Sequence, residues 1–524
     1  GQPEITGELT ATFSGKDDTL FLGGRNDGLF GLEGRLDEVA LYDRALTAEE
    51  VHVHFEAAGV VPSVQINEVI PQPDSPPRSP EESMQLAHVR EGYELQLVAA
   101  EPLVKDPVAI DWGPDGRLWV AEMADYPSGM DNNGKPGGRI RVLQHSGEDP
   151  GGPYDTSTIF LNDVPFPTGV MVWGKGVLIT AAPEIIYAED TDGDGKADVR
   201  QTLYSGFLEG NQQLRVNGLR WGLDNWIYCA SGSHHAGYGA DSQILSHVTR
   251  TKTAVGSRDF RIRPNEGLID PQSGPSQFGR NRDAWGNWFG EQNSYPLWHY
   301  VLEDPYIRRN PMFAPPNPRH LMTPGNPPVY AAAAPEKRFH SFEQSGRFTS
   351  ACSGMVYVDD LLFAANPDSG DSSALATQHA FTCEPFSNLV QHHLLIDDGV
   401  SFRLERDPVE VGKTDFFASE DRWCRPVMVR TGPEGALWIV DMYRYMIEHP
   451  QWLPKEGQDE LRPFFRSGDD RGRIYRIVPK GSQDTSNGQS KFARLYPRLD
   501  KSTAEQLVAE LESSHGWRRD TAQR

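Results

Sequence analysis

The feature that most restricts the fold is a unit of two apolar strands joined by a tight turn, recurring between about residues 89 and 480. It reads DPVAIDWGPDGRLWVAEM from 106, PTGVMVWGKGVLITAA from 167, RVNGLRWGLDNWIYCASG from 215, GRNRDAWGNWFGEQN from 279, CSGMVYVDDLLFAAN from 352 and CRPVMVRTGPEGALWIVDM from 424. Each unit is an inner hairpin. Six of them, spaced by tens of residues, predict a mainly β chain built on a six-bladed β-propeller, with seven blades as the alternative count. A sandwich of similar strands would not explain the repeat. The 51 glycines and 40 prolines among 524 residues suit many turns better than long helices.

Charge narrows the partners. A formal net charge of -24 disfavours nucleic acid and anionic membranes, which need basic patches, and suits divalent cations. No apolar run reaches the roughly 20 residues of a membrane span, and any export signal is expected outside these residues. The four cysteines, Cys229, Cys352, Cys383 and Cys424, form no CxxC or CxxCH motif. An oxidising compartment would allow disulfides, with Cys352 to Cys383 the preferred pair and buried free thiols the alternative.

The flanks differ in character from the repeat. Residues 1–58 alternate in LTATFS and TLFLGG, then give GRLDEVALYDRALTAEEVHVHF, where Thr47 and Glu50 open a short helix. The closing stretch resembles the end of laminin-G or concanavalin-like sandwiches, so the chain is expected to begin inside such a domain. Residues 59–88 read as a Pro-rich linker, 89–480 as the propeller and 481–500 as a second linker. Residues 305–336 are expected to be an irregular rim loop. From 501 to 524, a helix capped by Ser502 with Glu505, then GWRRDTAQR, resembles the start of a HEAT-type repeat.

One local motif points to a metal. In IIYAEDTDGDGKADVRQTLY, Asp190, Asp192 and Asp194 alternate, Gly195 supplies a sharp turn and Asp198 stands ninth, an oxygen spacing that suits Ca²⁺. Lys196 would add its backbone carbonyl. Gln201 replaces the bidentate Glu of an EF-hand and the flanks are strand-like, so the loop is expected to staple a blade hairpin.

Taken together, EGYELQLVAAEPLVKDPVAIDWGPDGRLWVAEMADYP, DTDGDGKAD, VNGLRWGLDNWIY, FTCEPFSNLV and IVDMYRYMIEHPQWLP resemble the planctomycete-type membrane-bound dehydrogenase family over essentially all of 89–480. That family's propeller is similar to the soluble quinoprotein glucose and aldose sugar dehydrogenases, which carry pyrroloquinoline quinone. The resemblance implies an exported (periplasmic, cell-surface or extracellular) oxidoreductase, a sugar or polyol substrate and a cytochrome c electron acceptor outside this chain. It also implies a quinone contact at Arg280 and Asn281, where a cation and an amide could clamp an anionic cofactor. Arg215, Asn217 and Arg425, at the starts of other repeats, join them as candidates. The family places its general base, a His, before a Gly-Arg-Leu strand, but LRVNGLRWG carries none there. His234 and His235 follow the same repeat, and His449 lies in a polar cluster after the last one; these are the catalytic candidates.

Other patterns are weaker. His52 and His54 are expected on a helix, and His392 and His393 beside an apolar strand. No nucleophile elbow, phosphate loop or dinucleotide fingerprint precedes a helix. Three readings follow: a calcium-binding, quinone-dependent sugar or alcohol dehydrogenase; a non-catalytic carbohydrate- or protein-binding scaffold, favoured by the missing His; and a calcium-dependent lactonase-like hydrolase.

Overall fold

A computed structural model describes residues 42, 44–57, 73, 75–146, 154–235, 237–310, 312, 317–334, 346–363, 378–481 and 498–524. The chain divides into two compact units, 1–70 and 71–524. In the first, Ala48–Ala57 is a helix opened by Thr47, whose backbone N–H and hydroxyl donate to Glu50 while its hydroxyl oxygen accepts the Glu50 N–H. The strands expected of a sandwich lie outside the described residues.

The second unit is a six-bladed β-propeller with few, short helices. Its inner strands are Pro107–Trp112, Gly169–Trp173, Asn217–Trp221, Arg280–Arg282, Cys352–Val356 and Pro426–Thr431, one from each repeat. They neighbour one another in that order, and the sixth returns to the first.

Turn chemistry explains why the repeat folds this way. After the first inner strand, Gly113 N–H donates to Arg117 O and Gly116, at φ 82, closes back on Gly113 O. The same closure recurs between Gly222, Asn225 and Trp226 and between Gly432, Gly435 and Ala436. In the fourth repeat Asp283 accepts the Trp285 and Asn287 N–H groups and Gly286 takes φ 89. Left-handed positions held by Gly or Asn make the turn cheap.

Ring closure is non-local. Tyr93–Ala100 pairs with Arg473–Pro479, with Leu95 opposite Ile477, so an early strand completes the last blade. Aromatic side chains fill the wedges between blades: Trp112 meets Trp438 edge-on at 5.1 Å, and Tyr228 stacks on Trp288 at 3.9 Å. Each such buried aromatic contributes a few kcal/mol from area, and a well-placed pair about 1 kcal/mol more.

Several expectations are corrected. Pro80–Gln85, read as linker, is a helix with a Ser79–Glu82 capping box, and Ala87–Val89 is a strand on Phe417–Ser419. Within the proposed irregular rim loop, Arg319–Leu321 supplies the outer strand of the fourth blade. The penultimate helix, Ala504–Glu510, is capped by Thr503 with Gln506, one residue later than expected. Helix Gly516–Gln523 packs against the propeller, with Trp517 buried. All four cysteines are free; Cys352 and Cys383 face each other across the ladder without a bridge.

Candidate functional site

The antiparallel order of each blade puts the starts of all six inner strands at one end of the axis. There they surround a cavity of about 400 Å³, within the usual range of ligand pockets. Its wall takes Val108, Thr168, Asn217, Phe278, Ser353 and Met428, one from each blade, and its rim includes Tyr126, Phe386 and Trp452. The floor is tight. A Cβ on Gly218, at φ +71, would lie 2.6 Å from the Gly279 Cα, so only glycine lets these two strands meet.

The polar groups of the cavity are incompletely paired. Among the described residues, Arg215 Nε, Asn217 Oδ1, Arg220 Nε and His234 Nδ1 are buried with no hydrogen-bond partner. Arg215 is held by the carbonyls of Glu209 and Gly210, at 2.7 and 3.4 Å, and lies over the Phe166 ring. Asn217 donates to Arg215 O and Gln277 O at 2.9 and 2.7 Å, which aims its side-chain oxygen inward. Arg220 forms part of both this cavity and a smaller one below it. Burial, then Arg430, pushes its pKa down to about 9, and burial also lowers that of Arg215. Burial and the neighbouring His235 lower the pKa of His234, so its imidazole is neutral near pH 7.

Of the residues expected from the sequence, Arg215, Asn217 and His234 line this cavity together. His235 is exposed, and its Nδ1 accepts the Gly237 N–H. His449 lies just behind the rim: its Nε2 pairs with Gln212 Oε1 at 2.6 Å, Nδ1 accepts the Gln451 N–H, and burial lowers its pKa to about 4.

Three expected cofactor contacts are elsewhere. Arg280 is buried between blades, 3.6 Å from Asp259 and over the Tyr300 ring at 4.2 Å, because its strand turns it outward into the wedge. Asn281 lines the lower cavity. Arg425 donates to the carbonyls of Pro385, Arg444 and Tyr445, tying the rim segment to the last blade. That segment is also anchored by the fully buried pair Arg444 and Asp106, bidentate at 2.5 and 2.9 Å. Sequence reasoning missed Arg220; its one signal was a lone cation inside the apolar inner strand NGLRW.

The acidic loop joins Glu184–Glu189 to Val199–Ser205, a hairpin in the second blade, at the opposite end from the cavity. Asp190, Asp192 and Asp194 can each offer a carboxylate oxygen within 4.8 Å of the others. Gly193 and Gly195 N–H groups donate to Asp190, and Thr191 and Asp192 N–H groups to Asp198. His392 and His393 are buried, the former against Glu410 at 2.9 Å.

Among solved structures, the chain is similar to the pyrroloquinoline-quinone-bound aldose sugar dehydrogenase of Streptomyces coelicolor, at 12% identity and TM-score 0.38, over 74% of this chain and 100% of that one. The pyranose dehydrogenase quinone domain of Coprinopsis cinerea gives 13% and 0.36, over 75% and 97%. Virginiamycin B lyase of Staphylococcus aureus gives 12% and 0.33, over 74% and 99%. No curated protein sequence matches the chain. The profile described as Domain of unknown function (DUF7133) matches residues 79–481, and the chain belongs to that family.

Proposed function

We propose that this chain is a calcium-binding propeller oxidoreductase that takes a quinone of the pyrroloquinoline quinone type in the axial cavity and oxidises a sugar or other polyol there. The observation that carries the reading is the set of unpaired polar atoms on Arg215, Asn217, Arg220 and His234, converging on one apolar-walled pocket. Buried polar atoms without partners are costly; an anionic, carbonyl-rich ring would accept from the Arg215 and Arg220 N–H groups, while the Asn217 oxygen, an acceptor, is left for a substrate hydroxyl. The sequence resemblance to dehydrogenase propellers supports the same choice.

When bound, such a quinone supplies a two-electron, hydride-accepting centre. The chain's part is positional and acid–base. Arg215 and Arg220 offset the cofactor's carboxylates, and Phe278 and Phe386 offer apolar faces to a flat ring. His234, neutral at pH 7, is the group suited to take the proton from a substrate hydroxyl. Tyr126 and Trp452 shield the mouth from water. His449 is a positioning residue, holding Gln212 at the rim.

Calcium belongs at Asp190, Asp192, Asp194, the Lys196 carbonyl and Asp198. An all-oxygen donor set with alternating carboxylates fits a hard cation. Its position at the far end of the blade makes it structural. Export, a glycan partner through the sandwich-like N-terminal stretch, and an external cytochrome acceptor complete the proposal.

The test is titration of the protein with pyrroloquinoline quinone and calcium, followed by tryptophan fluorescence, then dye reduction with a sugar panel. Micromolar binding, and turnover that His234→Ala removes while binding survives, is the expected result. Failure to bind at micromolar concentration would end this reading in favour of a binding scaffold.

A further inference from the structure

We infer that the lower end of the propeller axis holds a second site, for a tetrahedral oxyanion of the phosphate or sulfate type. A chamber of about 90 Å³ lies under the axial cavity, with Arg220 between the two. Helix Gly516–Gln523 closes it from below: the Gly516 N–H donates to Val358 O at 2.8 Å, and Trp517 is buried against it.

Cations outnumber anions around this chamber. Arg220, Arg282, Arg430 and Arg524 line it, against Asp111 and Asp520. Arg430 pairs with Asp111 at 2.9 Å and Arg282 with Asp520 at 2.5 Å, so both carboxylates are already engaged. Arg524 reaches Asp111 only at 3.8 Å. Arg220 gives one N–H to the Leu219 carbonyl at 2.8 Å and keeps its Nε buried and unpartnered. Guanidinium charge is therefore left over.

The other carboxyl group facing Arg220 is Glu291, whose pKa burial raises well above the usual range; even with Glu291 counted, four guanidinium groups face three carboxyl groups. Guanidinium forks match tetrahedral oxyanions, and such an ion would pair the surplus cations that burial otherwise penalises. Asn281 and Thr521 add an amide and a hydroxyl to the wall. The volume takes a few waters or one small oxyanion, and excludes a nucleotide or a multi-ring cofactor. Arg220 is the one group this site shares with the quinone reading; Arg282, Arg430, Arg524, Asn281 and Thr521 line the lower chamber alone, and the oxyanion titration is made without quinone present.

The test uses protein exchanged into chloride buffer free of oxyanions, titrated with phosphate and with sulfate at fixed ionic strength by calorimetry, with thermal midpoints measured in parallel. One saturable site is expected, with a rise in midpoint that chloride does not reproduce. Arg430→Met should weaken binding by about tenfold or more. Asn281→Asp keeps the side-chain size and adds the missing negative charge. It should raise the midpoint of the oxyanion-free protein and abolish the oxyanion response. Absence of saturable binding, an equal response to chloride, or an Asn281→Asp variant that is destabilised and still responds to phosphate would overturn the proposal.

Discussion

The acidic hairpin at 190–198 and the axial cavity stand at opposite ends of one propeller and handle polar atoms in opposite ways. In the hairpin, carboxylates sit near solvent and accept N–H groups from residues two to seven positions away. In the cavity, polar atoms of one repeat, Arg215 to His234, are buried and left without partners, in a pocket whose wall is drawn from all six blades. A carboxylate in water loses little by lacking a partner, whereas a buried donor loses its hydration outright. The hairpin loop is thus built from local contacts. The cavity wall is non-local, and what holds it open must be strong enough to offset that cost.

Breaking the cavity's support should have the largest effect. Arg444 and Asp106 fix the rim segment that roofs the cavity, and both are fully buried. Asp106→Ala leaves the buried Arg444 guanidinium with backbone carbonyls but no contacting carboxylate, and should cost about 3–5 kcal/mol, read as a lower denaturant midpoint. Calcium should not restore it. If the variant were as stable as the parent, the rim would be anchored elsewhere.

Acid should distinguish the two regions next. Burial lowers the pKa of His449 to about 4. Between pH 6.5 and 4 the unfolded chain therefore binds a proton that the folded chain refuses, and stability falls as pH falls through that window. For this one residue the loss is on the order of 3 kcal/mol at its limit. Unfolding midpoints measured across the window should decline, and His449→Gln should flatten the decline. Dye-linked turnover should fade on the same side of neutrality, because His234 becomes protonated and cannot accept a proton.

The contrast between regions also explains what the sequence made legible. Five of the six inner hairpins could be read because their turns close within five residues, on Gly, Asn and Asp at fixed offsets; the fifth, read as CSGMVYVDDLLFAAN, is corrected, since Cys352–Val356 pairs with Gln378–Glu384 across a far longer connection that no local turn signal marks. The Asp190–Asp198 spacing was readable for the same reason as those five turns. Arg280 was not, since its partners Asp259 and Tyr300 lie about twenty residues away on either side, and its neighbour Asn281 faces elsewhere. Nothing local tells whether an arginine at a strand start turns to the axis or into the wedge between blades. Arg220 and the lower chamber depend on a helix some three hundred residues downstream, beyond the reach of any local pattern.

The hairpin yields the next smaller effect. Asp192→Ala with Asp194→Ala should remove one bound calcium, measured by metal analysis of the dialysed protein. The stabilisation lost is about 2–3 kcal/mol when free calcium is a hundredfold above its dissociation constant. Chelation of the parent should reproduce this shift without moving quinone affinity. Coupled losses would mean the hairpin reaches the cavity.

The smallest effect tests the boundary of the cavity itself. His234 and His235 are adjacent with ring centroids 4.3 Å apart, yet only His234 lines the pocket. His235 is exposed, and its ring accepts the Gly237 N–H. His235→Ala should change stability by no more than about 0.5 kcal/mol, as for an ordinary surface substitution. Its effect on turnover should run through His234 alone: removing a neighbouring imidazole that disfavours protonation moves the acid limb of the pH profile upward. A large loss of turnover at neutral pH would instead put His235 in contact with the substrate and extend the cavity past the rim that Trp452 and His234 now define.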